Sequence, residues 1–242
     1  MNPLQLVKFD ILSILKSPLT YIAILLGALP VTVVVGIVVA NGDEVDPNMI
    51  VTFEKWFFSI IGLLFVVKTL TRDSSQGTIQ LYLNNQRNRI NYLITKTCSI
   101  LFVSVFITGV VLLVAYVVQW TTKGGNLEGK TPWLLLIFYV MLFLIYGLLL
   151  FMINLVVQKA AFVYTLGMFL LLFIPMVSPF VPLIPQIGPK IMEALNYIPI
   201  GYLTQKTLGD DFTFTTSQWL INAGSMIVLL AGNALLITKK DI

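Results

Sequence analysis

Two stretches of this chain carry residue types at spacings that could do chemistry. The first reads TRDSSQGTIQLYLNNQRNRINYLITK from Thr71 to Lys96, a polar and basic interruption between two long apolar runs. An acid (Asp73), a Gly77-Thr78 pair, an apolar set (Ile79, Leu81, Tyr82, Leu83), two arginines (Arg87, Arg89) and a lysine (Lys96) follow in order. Asp73 and Ser74 suit the start of a short helix, because small acids and hydroxyls accept from the free amides there. Asn84-Asn85 suits its end. Residues 75–83 therefore predict a rigid helix with apolar contacts that lipid need not cover. That equipment suits gripping a soluble partner by helix-in-groove contact. The plainer reading is a solvated loop anchored by snorkelling arginines.

The second stretch, GGNLEGKT at residues 124–131, matches the phosphate-loop pattern G-x-x-x-x-G-K-[ST]. Its chemistry would be the cradling of nucleotide phosphates, which needs a buried strand before the loop and a helix after it. Here the segment joins two membrane spans and runs into Pro132-Trp133, so a flexible Gly-rich turn is expected. With no histidine and a single cysteine, Cys98, one chain can build no disulfide, Cys/His zinc site or histidine acid–base pair. No catalytic residue, metal or cofactor is expected on this chain.

The elements that must position these residues are membrane helices. Hydrophobic residues make up 57% of the 242 and charged residues 11%, against about 25% charged in a soluble domain. The expected fold is an all-α integral membrane protein, one transmembrane domain over residues 1–242. Apolar runs near the about 20 residues a span needs lie at 19–40, 49–70, 92–118, 134–157, 160–174 and 219–238. Residues 1–16 predict an amphipathic interfacial helix with Leu4, Val7, Ile11, Ile14 and Leu15 on one stripe, broken at Pro18. Residues 175–216 are apolar but proline-broken, which excludes one continuous helix. Such backbone persists in a membrane only against protein or a cavity. Short re-entrant or extracellular helices are expected, Lys190–Tyr197 foremost, with a seventh span as the alternative.

Charge predicts orientation. With both termini, the 71–96 stretch (its loop proper 71–91) and the Gln158-Lys159 turn inside, that side holds ten Lys/Arg and three acids, the outer side five Lys and eight acids. This follows the positive-inside rule. The net charge of +4 thus reports topology; there is no basic stripe with interleaved aromatics, and no nucleic-acid partner is expected. Few polar residues enter the spans. Glu54, Asn154 and Asn222 are candidates for a translocation path. The plainer reading has Glu54 and Lys55 snorkelling to the outer boundary and the asparagines, Asn233 included, joining helices.

The 71–96 loop resembles that of membrane subunits of ABC-2 type transporters. There an acid, Gly-Thr, a short leucine-rich helix, Pro-x-Ser/Thr-Arg and a lysine recur at the spacing of Asp73, Gly77-Thr78, Leu81, Leu83, Arg89 and Lys96. Gln86 and Asn88 stand where the family has Pro and Ser/Thr. The amphipathic entry helix, six spans and broken segment before the last extend the resemblance over the full length. Among that family it looks most like permeases of Gram-positive peptide exporters, such as the staphylococcal phenol-soluble modulin exporter. The resemblance implies a non-catalytic transport subunit in the bacterial cell membrane. It would pair with a second, identical or different, membrane subunit and with a separate ATPase that binds ATP and Mg. Asp73, Gly77, Thr78, Ile79, Leu81, Tyr82, Leu83, Arg87, Arg89 and Lys96 would be coupling residues, Gln158 and Lys159 a second cytoplasmic contact. Cargo would be amphipathic peptides, toxins or antimicrobial peptides, entering from membrane lipid. The alternatives are a peptide-immunity or sensing protein, and a membrane-embedded enzyme.

Overall fold

The computed structural model describes residues 3–122 and 124–239; the Leu81 side chain, and Lys123, Lys240 and Asp241 of the charge count, lie outside the described residues. Among these residues the chain is all helical: α1 (Pro3–Leu15), α2 (Pro18–Ala40), α3 (Pro47–Ser75), α4 (Ile79–Tyr82), α5 (Gln86–Thr121), α6 (Thr131–Val157), α7 (Ala160–Val177), α8 (Gly188–Tyr197), α9 (Pro199–Lys206) and α10 (Thr216–Lys239). Six of them, α2, α3, α5, α6, α7 and α10, are long and apolar enough to cross a membrane.

Prolines set several of the boundaries. Pro18, Pro47, Pro132, Pro189 and Pro199 each stand in the first two positions of a helix, where the missing N–H costs nothing. Pro30 and Pro175 lie inside α2 and the last turn of α7. The 175–216 segment becomes a 3-10 turn over Val181–Leu183, then α8 and α9. At 10 residues, α8 is about 15 Å long, half the about 30 Å hydrocarbon core; the seventh-span alternative is not what forms. The expected helix at Lys190–Tyr197 is α8, and α9 is an addition to the expectation.

Helix α3 is the axis of the bundle, packing on α2, α5, α6 and α7. Small residues permit the close approaches: a Cβ on Gly62 would run into the Phe143 ring, and one on Gly27 would meet Ile61 and Phe58. Side-chain ties locate the two ends. Ser74 donates to Asn154 (3.1 Å), Arg89 to the carbonyls of Ile237 and Thr238, and Lys68 to that of Ser13. These gather α1, the α3–α5 turn, the α6–α7 turn and the end of α10 at one end. At the opposite end the Asn48 amide oxygen accepts from Glu128 N and Thr131 Oγ1.

The α1 stripe needs correction. The helix buries Leu6, Asp10 and Ile14 against α5, while Leu4 is 78% exposed. Asp10, placed off the packed face by the apolar pattern alone, is at its centre. It finds charged partners on other helices, which no local periodicity encodes.

Candidate functional site

The α3–α5 turn begins where α3 stops. The helix runs five residues past the expected Leu70 and closes at Gly77, whose φ is +68°. Thr78 N donates to the Asp73 carbonyl (2.9 Å) and Gly77 N to that of Ser74 (3.3 Å). This paired closure, with a left-handed glycine, satisfies carbonyls that would otherwise be orphaned. Asp73 is therefore in the last turn of α3 and not the cap of a new helix. The expected 75–83 helix contracts to the single turn of α4, because Gly77 ends one helix before the other starts.

The described apolar side chains of that turn, Ile79, Tyr82 and Leu83, do not face outward as a partner groove would require. Ile79 and Leu83 are buried in the chain's own core, and Tyr82 stacks on Tyr92 with ring centroids 5.8 Å apart. Arg89 bridges inward too. Its Nε donates to the Leu83 carbonyl (2.8 Å), and its Nη1 to Ile237 (3.1 Å) and Thr238 (2.8 Å). A guanidinium there meets the free carbonyls and negative dipole end of α10. Among the described side chains, what the turn exposes is polar: Ser75, Gln76, Gln80, Asn84, Asn85, Gln86 and Arg87. Thr78 is half-buried, and Asn85 caps α5 by accepting from Arg87 N.

Behind this edge lies a buried ring of charge. Asp10 of α1, Arg72 and Asp73 of α3, and Lys96 of α5 alternate in sign. Arg72 reaches Asp10 at 3.0 Å and Asp73 at 3.2 Å; Lys96 reaches Asp10 at 3.1 Å and Asp73 at 2.7 Å. Tyr92 Oη donates to Asp73 (2.9 Å), Ser99 Oγ to Asp10 (2.9 Å), and Lys96 also to the Thr69 carbonyl (2.7 Å). Asp10, Asp73 and Lys96 are each 1% exposed. Two carboxylates against two cations, with the remaining lone pairs engaged, is the arrangement in which buried charge is tolerated. Asp73 and Lys96 stand out in the sequence; Asp10, Arg72, Tyr92 and Ser99 do not stand out there as their partners. The available signal was Asp10 itself, a lone acid on an apolar helix beside a membrane.

Gln158 and Lys159 are both exposed in the α6–α7 turn, at the same end. Gln158 adopts φ +53° and closes α6 through the Asn154 carbonyl. Asn154 is wholly buried, donating to Leu70 O (3.0 Å) and accepting from Ser74, so it fastens α6 to α3. Asn222 does similar work at the far end, accepting from Tyr202 Oη (2.6 Å), and Asn233 donates to Leu148 O.

Glu54 and Lys55 do not snorkel; both are fully buried. The phase of α3 turns Glu54 to the same side as Phe58, and neither of its carboxylate oxygens has a hydrogen-bond partner among the described residues. Lys55 donates to the Gly209 carbonyl and lies 4.1 Å from the Phe212 ring centroid, pinning the segment after α9. Near it opens a cavity of about 610 Å³ whose walls include Asp46, Glu128, Asp210 and Asp211. The GGNLEGKT segment lies at this end, follows the helix α5 rather than a strand, and engages its Thr131 hydroxyl with Asn48.

Fold and site together define an all-α, six-span integral membrane protein with a charge-braced turn at one end. Over residues 11–242 the chain matches the family described as "Protein of unknown function (DUF2705)", and it belongs to that family. Among curated proteins, none matches the chain.

Proposed function

We propose that the protein is the transmembrane subunit of an ATP-driven exporter in a bacterial cell membrane, with both termini cytoplasmic. It pairs with a second membrane subunit and docks a separate cytoplasmic ATPase, which binds the ATP and Mg. The observation that carries this reading is the build of the α3–α5 turn. At 36 residues, α5 is about 54 Å long, against a hydrocarbon core of about 30 Å. The turn therefore stands clear of lipid. Among the described side chains, Ile79, Tyr82 and Leu83 are held in the bundle and the polar ones face out. A rigid polar projection suits a soluble protein pushing on a membrane domain. The ABC-2 resemblance of the same residues names the kind of protein that pushes.

The cargo assigned is an amphipathic peptide. An apolar cleft of about 450 Å³ runs between α6, α9 and α10, with Leu149, Ile198, Ile221 and Val228 among its walls, next in sequence to the buried Asn222. Such a cleft suits a greasy helix face better than a sugar or an ion.

The test is co-purification. A tagged protein from its native host is expected to bring down a nucleotide-hydrolysing subunit whose activity rises with a synthetic amphipathic helical peptide. A Gln80→Glu/Arg87→Glu double variant should lose that subunit while keeping its melting temperature in detergent. Retention of the subunit by the double variant overturns this docking surface, and absence of any ATPase from the wild-type preparation overturns the exporter.

A further inference from the structure

Asp10 is the only charge that α1 turns inward; Lys8, the other ionisable residue of that helix, is exposed. It closes the ring by accepting from Arg72, Lys96 and Ser99 at once. Without it, one carboxylate would face two cations in apolar surroundings, which is a costly state for buried charge. Docking of α1 is thereby made close to all-or-none.

The same helix is bolted to α2. Only Lys16 and Ser17 separate them; Thr20 Oγ1 donates to the Ile14 carbonyl (2.6 Å) and Tyr21 Oη to that of Leu15 (2.7 Å). In turn, α2 is the loosest span. It buries only Thr20, Gly27 and Val31, and 11% of its apolar window is buried against 67% for α3. At the other side of the ring, Asp73 belongs to both systems. Its carboxylate holds Lys96 and Arg72, and its carbonyl receives Thr78 N and closes the α3–α5 turn. A continuous run of contacts thus leads from that turn through Asp73 and Asp10 to α1 and α2.

We propose that the Asp10–Arg72–Asp73–Lys96 ring is a latch that makes α1 and α2 one lever, so that displacement of the α3–α5 turn carries the peripheral span α2 with it. Asp10 is the positioning residue of this device. The lever rests on the reading that the turn docks an ATPase; the latch itself does not. Rigid elements joined through a charge network are a physical route for such coupling.

The experiment has two arms, both in a Cys98→Ser background with nitroxides at Lys8→Cys and Gln158→Cys, in phosphatidylglycerol-containing nanodiscs. In the first arm there is no partner. The wild-type ring should give a narrow distance distribution between the labels. Asp10→Asn should widen it at least twofold, Asp10→Glu should restore it, and Ile14→Ala, which opens a cavity on the same face without touching charge, should leave it narrow. Ser99→Ala gives a milder widening should Asp10→Asn fail to fold. A distribution as narrow in Asp10→Asn and Ser99→Ala as in wild type overturns the latch. In the second arm the ATPase is added and trapped with ATP and vanadate. The distance should shift in wild type but not in Asp10→Asn, whose peptide-stimulated hydrolysis should fall at least tenfold with co-purification intact. An unchanged shift and stimulation in Asp10→Asn overturns the lever and leaves the exporter standing. If no ATPase associates with wild type, the exporter reading fails and the first arm alone decides the latch.

Discussion

The Asp73 carboxylate lies 2.7 Å from the Lys96 ammonium, each group 1% exposed, across the α3–α5 interface. The acid and the lysine that bracket the turn in sequence are thus partners in space. They support the surface a partner would meet and form no part of it.

Removing Lys96 should therefore act on stability first. Lys96→Ala leaves Asp10 and Asp73 facing each other with only Arg72 between them, and breaking a buried charge network costs about 3–5 kcal/mol. A fall in melting temperature of several degrees is expected in detergent. The ring also makes a sharper statement. Asp10→Lys/Lys96→Asp would rescue a simple pair, but here it sets Lys beside Arg72 and Asp beside Asp73, so the double variant should be no more stable than Lys96→Ala. Recovery to wild-type stability would show that the two residues act as an isolated pair.

Arg87 and Arg89, two residues apart, should separate cleanly. Arg89 holds the last carbonyls of α10, and charge-assisted bonds of this kind are worth about 1.5–3 kcal/mol. Arg89→Ala should loosen the C-terminal end, read as faster proteolysis after Thr238. Arg87 is exposed, and its substitution to Ala should change stability by less than about 0.5 kcal/mol while weakening ATPase association. The opposite pattern would reverse the assignment of roles.

The spans were legible because runs of membrane length announce themselves without knowledge of neighbours, and the proline-broken stretch announced its own interruption. The sequence pattern runs one helix over 75–83 straight through Gly77; its contraction to one turn depends on how far α3 continues and on the left-handed φ at Gly77. The place of Asp10 is hidden for a different reason. Its partner Lys96 is 86 residues away, and a helix stripe reports what is apolar, not which polar residue a distant helix will satisfy. Depth in the bilayer favours the boundary for Glu54 and Lys55, whereas the rotation of α3, set where Gly62 meets Phe143 and Gly27 meets Phe58, turns both inward.

Gly62 gives that rotation a test. Any side chain there collides with the Phe143 ring, and overpacking a close-fitted core typically costs about 1–3 kcal/mol. Gly62→Val should lower the melting temperature, and adding Phe143→Ala, which vacates the ring's volume, should recover part of the loss. Strict additivity of the two changes would mean that the residues do not meet.

Gly77 should respond differently. Its φ of +68° is left-handed, and an added Cβ meets nothing within 4 Å, so the cost of Gly77→Val is backbone strain alone, about 1–2 kcal/mol. Gly77→Asn, which tolerates that conformation, should cost less than Gly77→Val. A larger loss with Asn than with Val would point to a steric requirement at this position that the turn geometry does not contain.

Orientation in the membrane is the last expectation, and it follows from charge and geometry together. The end that gathers α1, the α3–α5 turn and the α6–α7 turn carries Lys8, Lys16, Arg72, Arg87, Arg89 and Lys159. The opposite end carries Asp43, Glu44, Asp46, Glu128, Asp210 and Asp211. Basic residues near span ends are retained on the cytoplasmic side. In a Cys98→Ser background, single cysteines at Asn85 and Gly125 fall on exposed turns at opposite ends. A membrane-impermeant thiol reagent applied to intact cells should label Gly125→Cys and spare Asn85→Cys until the cells are opened. Labelling of Asn85→Cys in intact cells, with Gly125→Cys protected, would put the polar turn outside, where no ATPase could dock, and the exporter reading would fall with it.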